Sequence, residues 1–254
     1  LDTTREKLRI TGRKIYREQV AEYGYTFTDL VYKLKNKDKG YYITVHDAIV
    51  LEEFPIKYHE IKEQWRMVSN KDKTDIFLGA ANLLETKYYD KMLAYTIAGQ
   101  NKNIYEAEID AICELSDFLR FNVYYFNLIQ KKQPISAPFV HNYSEYNPLN
   151  GFVASITPFN FTAIGGNLAS APLLFGNTVL WKPSDNAILS NYLFYQIMIE
   201  AGLPKGVLNF CPLDPQTFFD QINERADLGA ICFTGSSEVF DNIYREVGKG
   251  ISKR

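Results

Sequence analysis

At 254 residues, 46% hydrophobic, 23% charged and 15% aromatic, the chain has the composition of a globular protein with room for one large domain or two modest ones. Its 28 Lys+Arg and 30 Asp+Glu leave a net charge of −2, which removes any general electrostatic case for nucleic-acid binding. Three cysteines (Cys113, Cys211, Cys232), odd in number and far apart, argue against a disulfide framework and for a reducing compartment. With three histidines and no CxxC or HExxH, no metal site is expected.

The first forty residues carry ten Lys/Arg and six Asp/Glu, so the basic charge is concentrated at the N-terminus. A basic amphipathic helix through LRITGRKIYREQVAEY (8–23) is expected there, followed by a loop through KNKDKG (35–40). Residues 58–130 read as helices. Ile76, Phe77, Ala80, Ala81, Leu83 and Leu84 recur at helical spacing after a charged turn, Asn70–Lys73. A second helix runs near 89–98 with Gly99 as its stop. A third, long helix draws its apolar face from Ile104, Ile109, Ile112, Leu115, Leu119 and Val123. Pro134 and Pro138 then mark an extended segment, QPISAPFVHNYSEYNP, with β-type alternation in its middle.

No charged side chain occurs from Tyr146 to Trp181, but five asparagines and three prolines interrupt the stretch. No apolar run of about 18 residues survives, so no transmembrane segment is expected. From Gly151 onward, strand candidates at 152–156, 178–181, 207–210 and 230–233 alternate with helices near 162–175, 186–201 and 215–225. The alternation predicts an α/β fold with a Rossmann-like, doubly wound parallel sheet. Such a sheet binds ligands beyond the C-terminal ends of its strands. The unusual residues fall there: Thr157-Pro158-Phe159-Asn160 after the first strand, Lys182-Pro183-Ser184 after the second, and Thr234-Gly235-Ser236-Ser237-Glu238 after the fourth, opening a last helix.

These stretches, SITPFNFTAIGGNLASAPLLFGNTVLWKPSD, EAGLPKGVLNFCP and FTGSSEVF, resemble the NAD-binding half of the aldehyde dehydrogenase superfamily, and within it the Δ1-pyrroline-5-carboxylate dehydrogenase branch. Upstream, DIFLGAANLL, AGQNKNIYEAEIDAICELSDFLRFNVYY and QPISAP carry the same likeness in the same order, and Phe240 stands where most of the superfamily has glycine. The resemblance runs from about Tyr58 to Gly248. It implies an NAD-binding domain over 58–254, with 131–148 an oligomerisation-type arm, behind a divergent N-terminal extension over 1–57.

The resemblance also implies roles. Asn160, by itself readable as a helix N-cap after Pro158, matches the amide that donates to the oxyanion of the thiohemiacetal. Thr157 matches a residue beside the nicotinamide end of NAD. Lys182 and Ser184, by themselves an exposed lysine and a turn serine, match the pair contacting the adenosine ribose. Gly235 and Ser236, with Ser237, Glu238 and Val239 behind them, match the helix start that faces the pyrophosphate. No cysteine matches the family's nucleophile, and all three read as core or incidental residues. The chain stops at Arg254, before the family's nucleophile and general base.

A catalytically incomplete protein is therefore expected, not an enzyme by itself. In that reading it is a pseudoenzyme serving as a structural or accessory subunit, lying against other proteins in a mitochondrial complex, with retention of NAD left open. The alternatives are a fragment or split half of an active NAD-dependent 1-pyrroline-5-carboxylate dehydrogenase of proline catabolism, or an NAD-binding sensor module.

Overall fold

A computed structural model describes residues 31–37, 40–46 and 54–251, with side chains described for 60–251. The basic helix expected over 8–23 lies outside the described residues. Of the expected KNKDKG loop, residues 35–37 and Gly40 lie in strands instead, and the two between them lie outside the described residues. Strand β1 (Val31–Lys37) pairs antiparallel with β2 (Gly40–His46), and Lys37 stands opposite Gly40. The flanking VYKL and YYITV runs are rich in β-branched and aromatic residues, which favour a strand over a loop.

The helices follow. Helix α1 (Phe54–Met67) is anchored by Trp65, whose buried Nε1 donates to the Leu173 carbonyl at 3.0 Å. Helix α2 (Asn70–Glu85) begins where a charged turn was expected. Ser69 caps it by accepting from Asp72 N at 3.1 Å, so Asn70–Lys73 form its first turn. Its buried stripe is Phe77, Ala80, Ala81 and Leu84. Helix α3 (Tyr89–Gln100) runs through Gly99 and is ended by Asn101 in the left-handed region at φ 56°. Gly99 serves packing instead: a Cβ there would sit 2.5 Å from the Asn186 carbonyl oxygen.

The expected third helix is three pieces: α4 (Ile104–Glu108), a π-helical turn (Ile109–Glu114) and α5 (Leu115–Lys131). The wider turn shifts the phase of the residues before it, by on the order of 100° per residue gained. Ile112, Leu115, Leu119 and Val123 are accordingly buried, while Ile104 and Ile109 are 55% and 64% exposed. The same phase shift turns Asp110 inward, where it is 1% exposed.

Segment 132–148 is extended but unpaired. Its halves are tied by side chains: Gln133 Oε1 accepts from Ser144 N at 2.8 Å, and Ser136 Oγ accepts from Asn142 N at 3.0 Å. Pro134 and Pro138 lack the N–H groups a ladder needs, and the expected β alternation yields no strand here.

Four parallel strands form the sheet: β3 (Phe152–Ile156), β4 (Val179–Lys182), β5 (Leu208–Phe210) and β6 (Leu228–Phe233), in the order β5-β4-β3-β6. The connections are α6 (Thr162–Ser170) with a 3-10 turn (Ala171–Phe175), a 3-10 turn (Asp185–Ala187) with α7 (Ile188–Glu200), and α8 (Pro215–Asn223). Helix α9 (Ser237–Lys249) follows β6. Val153, Ala154, Val179, Leu180, Trp181 and Leu208 are all buried, as expected of strands covered on both faces. Among the described residues no helix is long and apolar enough to cross a membrane.

Candidate functional site

The strand order places the site. From β3 the chain steps outward to β4 and β5, then returns to the other side of β3 for β6. The reversal opens a crevice beyond the C-terminal ends of β3 and β6, the usual ligand position in such sheets. Backbone bonds continue past the strand ends: Thr157 N donates to Lys182 O at 3.1 Å, and Thr234 N to Ile156 O at 3.4 Å. Thr157, Lys182 and Thr234 are thereby gathered from three strands, up to 77 positions apart in sequence. Trp181 Nε1 donates to Thr157 Oγ1 at 3.0 Å, fixing the threonine side chain from below.

Lys182 is not the exposed lysine its place before a proline suggests; only 5% of it is accessible. Burial pushes its ammonium below the ordinary lysine range, against the pull of Asp185 and Asp214. Its Nζ lies 3.9 Å from Asp185 Oδ1, too far for a hydrogen bond. Burial pushes the Asp185 carboxyl upward, with Lys182 opposing and Asp214 adding to the rise. At that distance the buried ammonium keeps its donors for another acceptor. Ser184 is half-buried and precedes the Asp185–Ala187 turn, making no side-chain cap bond.

Ser236 is the N-cap of α9, and its Oγ accepts from Val239 N at 3.3 Å. That bond satisfies one of the first-turn amides, leaving others at the helix start for an anion. At Gly235 a Cβ would meet Phe233 Cζ at 2.5 Å, so any other residue there would displace the half-buried Phe233 ring. Glu238 adds a negative charge to the same turn, and Ser237, Glu238 and Val239 are all exposed.

Asn160 is exposed and is not a helix cap. The N-cap of α6 is Phe161, which offers no side-chain cap bond. The first amides of α6 are taken by Asp110 from the π turn: Oδ2 accepts from Thr162 N at 2.9 Å and Oδ1 from Ala163 N at 2.8 Å. Lys102 Nζ donates to Asp110 Oδ2 at 2.5 Å and lies 4.2 Å from the centre of the Phe161 ring. Sequence reasoning passed over this pair, because a carboxylate in a charged helix reads as solvated.

None of the thiols is activated. Cys113 is exposed on the π turn, the incidental rather than the core member of the expected pair of readings, and burial together with Glu108, Asp117 and Glu85 pushes it up. Burial pushes buried Cys211 up to about 12, and also raises half-buried Cys232. Among the described residues no cluster of His, Cys, Asp and Glu could hold a metal. A separate cavity of about 150 Å³, lined among others by Arg66, Lys73, Phe126 and Phe175, lies by the segments entering β3 and β4, at the end opposite Thr157.

Residues 57–254 match the aldehyde dehydrogenase family. The chain belongs to that family. It is 47% identical over 194 residues to the mitochondrial Δ1-pyrroline-5-carboxylate dehydrogenase of Emericella nidulans, covering 76% of this chain and 34% of the relative. It is 49% identical over 192 residues to the probable Δ1-pyrroline-5-carboxylate dehydrogenase of Schizosaccharomyces pombe, covering 75% of this chain and 35% of the relative. The crystal structure of the Mycobacterium tuberculosis Δ-pyrroline-5-carboxylate dehydrogenase bound with NAD superposes with a TM-score of 0.76 at 44% identity, covering 77% of this chain and 37% of that one. The chain thus spans about a third of the length of the curated relatives it matches.

The residues at the strand ends fit a dinucleotide. Lys182 is a buried donor without a hydrogen-bonded acceptor among the described residues, suited to ribose hydroxyls. The α9 start behind Gly235 is suited to a diphosphate.

Proposed function

We propose that this chain is the NAD-binding portion of a pyrroline-5-carboxylate-dehydrogenase-type enzyme, binding the dinucleotide across the ends of β4, β3 and β6. The observation that carries the reading is Lys182, an ammonium buried at a strand end with no hydrogen-bonded acceptor among the described residues, beside Thr157. Lys182 and Ser184 hold the adenosine ribose. Amides of Ser237 and Glu238 behind Gly235 hold the diphosphate, with Val239 at the edge. Thr157 borders the nicotinamide. When bound, NAD supplies a hydride acceptor. Asn160, free of any capping duty, donates its amide to an oxygen that becomes negative when an aldehyde is attacked. The attacking thiol comes from outside these residues, because Cys113, Cys211 and Cys232 are all raised above the ordinary thiol range. By itself the chain turns over no aldehyde. The relative in Emericella nidulans is named as mitochondrial, which supports a mitochondrial setting.

A second reading, a non-catalytic accessory subunit lying against other proteins of a larger assembly, draws on the uncovered face of α9 and the exposed arm at 132–148. The intact mass of the native subunit separates the two: 29.2 kDa favours the accessory chain, and about twice that or more the enzyme. The NAD site is tested by calorimetric titration. Lys182→Met should weaken NAD binding at least tenfold. A native protein that binds no NAD at millimolar concentration sinks the site.

A further inference from the structure

Asp110 sits at a junction that no strand end reveals. Its carboxylate is 1% exposed and accepts three hydrogen bonds: from Lys102 Nζ, from Thr162 N and from Ala163 N. The last two are the first amides of α6, which would otherwise be orphaned beneath the turn that carries Asn160. Lys102 is itself 13% exposed at the side chain and lies against the Phe161 ring, so cation, carboxylate and ring lock both sides of that turn. From within the helix bundle, Thr162 Oγ1 donates to Ser190 Oγ at 2.9 Å and accepts from Gln100 Nε2 at 2.6 Å. Thr162 is thus pinned by α3, α7 and the π turn, and Phe161 lies under Lys102, while Asn160 itself is left exposed.

We propose that Asp110, braced by Lys102, is a positioning residue: it replaces the N-cap that Asn160 would otherwise supply and so leaves the Asn160 amide available to the reacting oxygen. This rests on the dehydrogenase reading for the role of Asn160, but not for the brace itself. A capping asparagine turns its side chain back onto its own helix. With Asp110 holding the amides of Thr162 and Ala163, the Asn160 side chain has no such call on it. The π turn is what makes this possible, since it directs Asp110 inward from a helix whose regular phase would leave it at the surface.

The test uses the full native protein and two kinds of readout. Amide exchange is followed at Thr162 and Ala163 for wild type, Asp110→Ala, Asp110→Asn and the neutral pair Lys102→Met/Asp110→Asn, with Leu119 in α5 as a reference for an intact fold. Exchange at both amides should rise at least tenfold in Asp110→Ala. In Asp110→Asn it should rise at only one, because one amide oxygen remains to accept. Leu119 should stay within twofold throughout. In parallel, kcat should fall at least tenfold in Asp110→Ala with KM for NAD within twofold, and Asp110→Asn should recover part of the loss. Unchanged exchange at Thr162 and Ala163 overturns the brace. Opened exchange with wild-type kcat overturns the positioning role. A wild-type protein that neither binds NAD nor turns over aldehyde refutes the dehydrogenase reading and with it the role of Asn160, while the exchange arm judges the brace by the same criterion.

Discussion

The two sides of the sheet are built to different degrees of completion. On the β4–β5 side, Trp181 is fully buried, packed edge-on to Phe194 and Phe210 at 6.2 and 5.1 Å between ring centres, and α7 buries eight of its thirteen residues. On the β6 side, only Leu228 of the strand is buried, and α9 buries none of its residues. Yet α9 is strongly amphipathic: Val239, Phe240, Ile243, Tyr244 and Val247 share one face, and Phe240 stacks between Phe233 and Tyr244 in place of a partner. Amphipathicity tells where a surface is meant to be covered, and burial tells whether it has been. The two agree around β4 and disagree around β6, and the crevice lies between these sides.

The largest expected effect sets one side against the other. Trp181→Ala removes a buried indole and its bond to Thr157 Oγ1, and should cost about 3–5 kcal/mol in a denaturant titration. Phe240→Ala, at a ring 51% exposed, should change the stability of these 254 residues by less than about 0.5 kcal/mol. A loss above about 2 kcal/mol for Phe240→Ala would show that the β6 side is already covered in solution.

The next effect is a pH dependence confined to the finished side. Cys211 follows β5, and burial holds its thiol up to about 12, against an ordinary value of 9.0. The folded state therefore keeps a proton that the unfolded state has lost. Stability from this group is fully present below about pH 9 and drains away as pH rises toward 12, at up to about 1.4 kcal/mol per pH unit. Cys211→Ala should flatten that alkaline slope, whereas Cys113→Ala, at an exposed site, should leave it steep. Equal slopes in wild type and Cys211→Ala between pH 9 and 11 would refute the buried-thiol account.

These contrasts also mark what was legible in the sequence. The parallel strands were, because β-branched and apolar runs bounded by Gly, Pro and Asn carry their own signal: FVASI, TVLW, VLNF and AICF each became a strand within two residues of its expected start. The ends of the strands were legible as places but not as environments. Lys182 before Pro183 reads as a surface residue, yet it is buried, and of the two carboxylates that act on its charge Asp214 lies 32 positions away, outside any local pattern. Asp110 was illegible for a different reason. Its partners Thr162 and Ala163 lie 52 and 53 positions away, and its inward phase depends on a π turn that no spacing rule announces. Residues 132–148 alternate like a strand, but alternation names a face and not the neighbour that must supply the ladder.

The smallest expected effect asks the same question of two helix caps. Asp214 caps α8, its Oδ1 accepting from Gln216 N at 3.0 Å and Thr217 N at 3.1 Å, and α8 buries Phe218 and Ile222. Ser236 caps α9 through one bond of 3.3 Å, and α9 buries nothing. A cap stabilises the protein only as far as the helix it starts is coupled to the core, because an uncoupled helix can fray without exposing anything new. Asp214→Ala should therefore cost about 1 kcal/mol, near the middle of the range for such losses. Ser236→Ala should cost no more than a few tenths of that, seen as a denaturation midpoint within error of wild type. Any chain or domain that buries the apolar face of α9 should bring the second cost up toward the first when it is added. If the two caps already cost the same without it, α9 is coupled to the core by contacts other than its exposed apolar face, and the contrast between the two sides of the sheet dissolves.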